Sequence, residues 1–405
     1  MGLTASRLDV AGFPMLETLA RSYTLLIPTF NRPDLLGRLL TYLEKQSAGF
    51  AVVVLDSSFP DNKAKNADVV SSVTLNIKRI EFDERISPFD KFRAGIEAIE
   101  TQFVSLCADD DIVVVPALAD MVEFLQCHNN YSVAHGFYFN FLGPGGDGNQ
   151  PAAGDDFGDR KPETRITSLF YHSPSVDDSD PCMRLIQLFR RYEALTYGVY
   201  RTEVAKEVHR LVQPMESILA RELLAGALSI VAGKVARIKK IYYGRNTRPS
   251  AGYENWHPLE WLATEPHGLF REYLAYRALL TDYLATHNGR SLSAEEASRI
   301  VDLVHLRYIS PFLRPDFLDF ALVKNLERLP PSQLISEMWQ FWNSRGKHGW
   351  RALRNKFFAN RVIHTSRNRY CFDREFLRAG PPDEVRVTDE EITAVTQCLD
   401  AYSGK

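Results

Sequence analysis

Three carboxylates stand in a row at Asp109, Asp110 and Asp111, directly behind the apolar run FVSLC and Ala108. Adjacent carboxylates repel one another and lose hydration wherever the chain buries them, so the triplet calls for positive charge. A hard divalent cation with oxygen ligands answers that call, and Mg²⁺ or Mn²⁺ suits a carboxylate set best. Such ions keep several waters and bridge one or two carboxylates to substrate phosphates, which points to a diphosphate-bearing substrate. The competing reading is a solvated acidic turn that caps the following helix.

Two further clusters follow apolar β-type runs. YTLLIPT (Tyr23–Thr29) leads through Pro28 and Thr29 into Phe30, Asn31 and Arg32, and FAVVVLD (Phe50–Asp56) leads through Asp56 into Ser57 and Ser58. Pro33 then opens a stretch in which Leu35, Leu36, Leu39, Leu40 and Leu43 recur at helical spacing. A third run, VTLNIKRIEF (Val73–Phe82), and a fourth, FVSLC (Phe103–Cys107), leave room for connecting helices, one of them PFDKFRAGIEAIE from Pro88. Strands alternating with helices predict an α/β fold with a mostly parallel sheet, right-handed crossovers and ligands at the carboxyl ends of the strands. All three clusters therefore fall on one edge.

Farther along, SVAHGFYFNF (Ser132–Phe141) reads as another strand, and the Gly-, Pro- and Asp-rich stretch after it as a long loop. From about Pro181 the pattern turns helical, with one β-like piece at Ala194–Tyr200 and a helix through MESILARELLAGALSIVAG. After Tyr253 amphipathic helical stretches rich in Trp, Tyr and Leu dominate. The division expected is an N-terminal extension over 1–20, an α/β domain over 21–250 and a mainly α-helical domain over 251–405.

A chain of 405 residues, 45% hydrophobic and 24% charged, has ordinary globular composition and room for two or three domains. The formal net charge of −3 lacks the basic excess of nucleic-acid binders, so no nucleic acid is expected as partner. Five widely spaced cysteines without a CxxC pair suggest reduced thiols and a cytoplasmic setting. No GxGxxG follows the first strand, and neither GxxxxGK[ST] nor GxSxG occurs, which argues against a dinucleotide dehydrogenase, a P-loop NTPase and an α/β-hydrolase.

TLLIPTFNRPDLLGRLLTYL, the strand closing on Asp56-Ser57-Ser58, KFRAGIEAIETQFVSLCADDDIVVVPAL and the later YGVYRTE together resemble an inverting GT-A glycosyltransferase of the bacterial family-2 type. The resemblance spans about residues 21–250 and is strongest over 21–125. It implies transfer of a sugar from a nucleotide-sugar donor, UDP-linked by expectation, to a hydroxyl of a glycan or glycoconjugate. Pro28 to Arg32, Asp56, Ser57, Asp109 and Asp110 resemble nucleotide-sugar-binding residues. The acidic triplet resembles a DxD metal motif, matched either by Asp109 with Asp111 or by Asp110 with Asp111.

Physically, Asp56 offers an acceptor for a uracil N3–H, and Phe30 or Arg32 a flat surface for the base. Arg93, in KFRAG, is a candidate for the diphosphate or donor sugar. Relatives of this type place a general base at the start of a late helix, ahead of a Gly-Lys strand and an Arg-bearing loop. The matching stretch ARELLAGALSIVAGKVARIKKIYYGRNTRPS nominates Glu222 as base, with Glu216 as the alternative, and Arg245 and Arg248 as clamps on the leaving diphosphate. Arg221-Glu222 stands where such enzymes commonly carry Glu-Asp.

His135 reads either as a core histidine or as an acceptor-site contact. Between Arg345 and Arg369 eight basic residues occur with no Asp or Glu, interleaved with Trp350, Leu353, Phe357 and Phe358. That pattern fits peripheral contact with an anionic membrane face or packing against acidic neighbours. Homo-oligomerisation is left open. The alternatives to a glycosyltransferase are a nucleotidyltransferase, which would need a basic Gly-rich loop after the first strand, and a catalytically silent nucleotide-sugar-binding module.

Overall fold

The computed structural model describes residues 13–142, 165–170, 174–190, 192–246, 265–289 and 292–310, with scattered positions from 319 to 399. Helix α1 (Phe13–Ser22) runs straight into β1 (Tyr23–Thr29), followed by α2 (Pro33–Lys45), β2 (Ala51–Asp56), α3 (Pro60–Ser71), β3 (Ile77–Glu81), α4 (Pro88–Glu97) and β4 (Phe103–Leu106). A short β5 (Ile112–Val113), α5 (Val115–Cys127), β6 (Tyr131–Leu142), β7 (Arg165–Phe170), α6 (Pro181–Arg190), β8 (Val199–Arg201), α7 (Thr202–Leu211), α8 (Ile218–Ala232) and β9 (Lys234–Asn246) complete the sheet region. Helices α9 (Pro266–His287) and α10 (Ala294–Ile309) come next, then β10 (Val362–His364) and β11 (Cys371–Asp373), which pair antiparallel.

The large sheet has the order β3-β2-β1-β4-β8-β6-β9-β5, with β7 on β6. Its first four strands are parallel, as alternating strands and helices require. Leu35, Leu36, Leu39, Leu40 and Leu43 are buried on one face of α2, and proline at the first turn sets the entry of α2, α3 and α4. Ser87 and Ser217 cap α4 and α8 through their side chains.

Two differences from the expected elements have local causes. The third strand pairs only over Ile77–Glu81, because at 72–76 the chain is a turn whose Val73 and Leu75 pack sideways on the core. Of Ala194–Tyr200, only Val199 and Tyr200 join a strand, since Leu195 to Gly198 form a turn closed by a 2.8 Å backbone hydrogen bond. The stretch after Gly233 is a 13-residue strand, β9, lying parallel to β6.

Tyr276, Leu280, Tyr283, Leu284, Ala297, Val301 and Val304 of α9 and α10 share one apolar cluster with Leu185, Leu188, Leu224 and Leu228 of α6 and α8. Val395, Cys398 and Leu399 join the cluster on the other side of the sheet, where the Tyr42 hydroxyl lies 3.1 Å from Cys398 Sγ. No described helix is long and apolar enough to cross a membrane. Arg248 and the side chains of the basic 345–369 segment lie outside the described residues.

Candidate active site

Strand register sets the site. Thr29, the last residue of β1, pairs with Asp56, the last of β2, so both side chains stand at the carboxyl edge. Cys107 continues the β4 ladder with a 2.9 Å hydrogen bond to the Leu26 carbonyl, which carries Asp109 to the same edge. The Thr29 hydroxyl donates to Asp109 Oδ2 at 2.7 Å. Arg32 Nη1 donates to Asp109 Oδ1 at 3.2 Å and to Asp110 Oδ2 at 3.1 Å.

Asn31 takes a left-handed backbone (φ 58°), a conformation that asparagine tolerates better than most residues. The bend ties the two strand tips together. Asn31 N donates to Ser58 Oγ at 2.8 Å, and Asn31 Oδ1 accepts from the Phe59 N–H at 2.9 Å and Asn62 Nδ2 at 3.2 Å. Phe30 and Phe59, both exposed, face each other with ring centroids 5.7 Å apart.

Asp56 is fully enclosed. Its carboxylate accepts from the Ser58 N–H at 2.9 Å, from Asn66 Nδ2 at 3.0 Å and from Arg79 Nη1 at 3.0 Å. Burial pushes its pKa up, but these donors outweigh burial and hold it below the usual aspartate range. The oxygens offered to a nucleobase by the sequence are thus already met by protein donors. Behind them lies Lys91, buried on α4, whose Nζ donates to Ser57 Oγ at 2.9 Å and to the Thr29 carbonyl at 3.1 Å. Burial lowers that ammonium to about 8, against the attraction of Asp109 and Asp56.

Asp111 is held from the β9 side. Tyr243 donates to its Oδ2 at 2.7 Å and the Asn246 N–H to its Oδ1 at 2.8 Å, so β9 closes the wall opposite Thr29. Burial and the charge of Asp110 push Asp111 up to about 8. Burial raises Asp109 to about 6 although Arg32 opposes it, and burial also raises Asp110.

Glu222, in the first turns of α8, accepts from the Tyr192 hydroxyl at 3.4 Å, and burial raises it to about 7. The Arg245 guanidinium favours the ionised forms of Asp110, Asp111 and Glu222 alike, so it lies within electrostatic reach of both halves of the site. Glu216 instead projects into solvent, 3.5 Å from Arg271. Arg93 is half-buried and makes no hydrogen bond or ion pair among the described residues. His135 is a core residue, buried beside Arg237 and 3.2 Å from the Tyr242 hydroxyl, and burial holds it well below the usual histidine range.

The donor set fits a hard divalent cation. Three adjacent carboxylates, two of them almost fully buried, share the nearby charges of Arg32, Lys91 and Arg245, burial being the main cause of their raised affinity for protons, and their oxygens are of the kind such an ion takes. Among the described residues no three acidic, histidine or cysteine side chains are already gathered as a complete ligand cage.

Several residues here carried no usable signal in the sequence. Lys91 looks like any helix lysine, Arg79 and Asn66 meet Asp56 only through the β2–β3 register and α3, and Tyr243 meets Asp111 only once β9 lies beside β5.

Residues 24–192 match the family described as Glycosyl transferase family 2. No match is found among the curated proteins. Among solved structures, residues 1–349 of S. aureus TarS in complex with UDP-GlcNAc are 16% identical, with a TM-score of 0.48 over 71% of this chain and 73% of that one. The chain spans 44% of the longer TarS structure (TM-score 0.44, 16% identity, 71% of this chain). A mannosyltransferase from Pyrobaculum calidifontis in complex with GDP-Man and Mn²⁺ is 13% identical, with a TM-score of 0.43 over 83% of this chain and 87% of that one.

Proposed function

We propose that this chain, whose residues 24–192 match glycosyl transferase family 2, is a glycosyltransferase that moves a sugar with inversion from a UDP-linked donor to a hydroxyl of a glycan or glycoconjugate. The observation that carries this reading is the convergence of Thr29, Arg32 and the acidic triplet on one side and Glu222 on the other, with Arg245 in electrostatic reach of both.

The donor nucleotide lies over the tips of β1 and β2, with the exposed Phe30 ring against the base and Ser57 and Asn31 fixing the loop beneath it. Arg245, joined in this reading by Arg93 and Arg248, draws the diphosphate by charge. A divalent cation, Mn²⁺ or Mg²⁺, held by Asp109 and Asp111 would neutralise charge on the departing diphosphate. Glu222 takes the proton of the acceptor hydroxyl as its oxygen bonds to the anomeric carbon, and the bond to the phosphate oxygen breaks with its electron pair leaving on UDP. A carboxylate raised to about 7 suits a base working near neutrality, and general-base assistance is worth about 10²–10⁴ in rate.

Calorimetric titration of UDP with Mn²⁺ or with chelator tests the donor half. The expected result is binding that needs Mn²⁺ and weakens at least about tenfold in Asp111→Asn. Equal UDP affinity in the variant and in chelator would overturn the metal-assisted reading.

A further inference from the structure

We propose that Tyr192 and Tyr308, beside Glu222, form an acceptor subsite that stacks a pyranose ring, so that the acceptor hydroxyl belongs to a sugar. The proposal rests on the reading of Glu222 as base and adds the chemistry of what it deprotonates.

Tyr192 follows α6 and lies along α8. Its hydroxyl is 3.4 Å from Glu222 Oε1, and it would stand 3.7 Å from a Cβ placed on Gly226, one turn farther along the helix. Tyr308 comes from the last turn of α10, and its ring centroid lies 5.5 Å from that of Tyr192 at an interplanar angle of 60°. Burial pushes both phenols up, Tyr308 to about 12, and the charge of Glu222 adds to the rise.

Phe189 supports both rings from behind, with centroids 5.7 Å from Tyr192 and 5.6 Å from Tyr308. The distinction between the three rings is exposure: Phe189 is buried, whereas Tyr192 and Tyr308 each keep part of their surface open. A corner of two partly exposed amphipathic rings with a carboxylate at its base offers ring surface and polar rims together. A pyranose matches it, having a patch of axial C–H groups for a ring face and hydroxyls at its rim for a phenol and a carboxylate. An open-chain polyol has no such fixed face. Tyr308 lies beyond residue 192, where the family match ends, so the helices after residue 265 contribute directly to acceptor choice.

Ligand-observed saturation-transfer NMR on the full chain with UDP present tests this. The probes are methyl pyranosides of glucose, galactose, mannose and N-acetylglucosamine in both anomers, with ribitol as the open-chain comparator. At least one pyranoside is expected to receive saturation on its axial protons while ribitol receives none. Tyr308→Leu and Tyr192→Leu should each weaken pyranoside binding about tenfold, and Tyr308→Phe should retain it. Thermal melting identifies any variant that fails to fold, and Tyr308→Phe then carries the comparison with ribitol. Absence of pyranoside binding, equal binding of ribitol, or wild-type binding by a folded Tyr308→Leu overturns the subsite. Because the readout is binding, turnover by Glu222→Gln would reject the base without deciding the subsite.

Discussion

Lys91 Nζ donates to Ser57 Oγ at 2.9 Å and to the Thr29 carbonyl at 3.1 Å, so one buried ammonium fastens the tips of β1 and β2. It also places positive charge between Asp56 and Asp109, both of which raise its proton affinity. Removing a charged hydrogen-bonding group of this kind costs about 1.5–3 kcal/mol per bond. Lys91→Met is therefore expected to weaken UDP binding about tenfold or more by calorimetry.

The pH dependence of Lys91 has two opposite signs. Its folded pKa, about 8, lies below its ordinary value, so between the two the unfolded chain holds more protons and the group's contribution to stability rises with pH. UDP affinity, which uses the charge, falls over the same window. Calorimetry from pH 7 to 9.5 should record that decline in the wild type and lose it in Lys91→Met.

Glu222 titrates with the reverse pattern. Its pKa is raised to about 7 by burial, so the stability linked to its proton is fully present below the unfolded value and is lost as pH rises through 7. Turnover, which needs the ionised base, should climb through the same range. Glu222→Gln is expected to lower kcat by about 10²-fold or more, to flatten the ascending limb, and to melt higher than wild type at pH 8 but not at pH 5. An unchanged pH profile in a folded Glu222→Gln would remove Glu222 from the base role.

The carboxyl edge was legible because strand ends are local features. Thr29, Arg32, Asp56 and Asp109 each follow directly on an apolar run, and the alternation of strands with helices brings those ends together. The groups that hold them were not legible, since Lys91, Arg79 and Tyr243 act through tertiary register that no local pattern encodes. Glu222 entered only by resemblance to a family, and its aromatic neighbours are far from it in sequence. A strand boundary such as Ile77 shifted for the same reason: apolar residues at Val73 and Leu75 pack on the core without joining the ladder.

Arg221 ties the base-bearing helix to the donor-bearing one. Its Nε donates to the Met215 carbonyl at 2.6 Å, its Nη2 to the Gln213 carbonyl at 3.4 Å, and its Nη1 to Ser87 Oγ at 3.0 Å. Ser87 is the N-cap of α4, accepting the Asp90 N–H at 3.2 Å, and α4 carries Lys91. Arg221, immediately ahead of Glu222, is in a position to lock α8 against α4. Ser87→Ala should cost about 1 kcal/mol as a lost cap, and Arg221→Ala more, because two carbonyls lose a charged donor. The two losses should not add, since each variant removes the bond between them, and urea denaturation of the double variant should return a coupling of about 1 kcal/mol. Arg221→Ala should also lower kcat with the donor KM nearly unchanged, because the nucleotide contacts at β1 and β2 remain while Glu222 loses its fixed position. Strict additivity of the two stability losses, or a KM effect without a kcat effect, would show that Arg221 serves only the local turn.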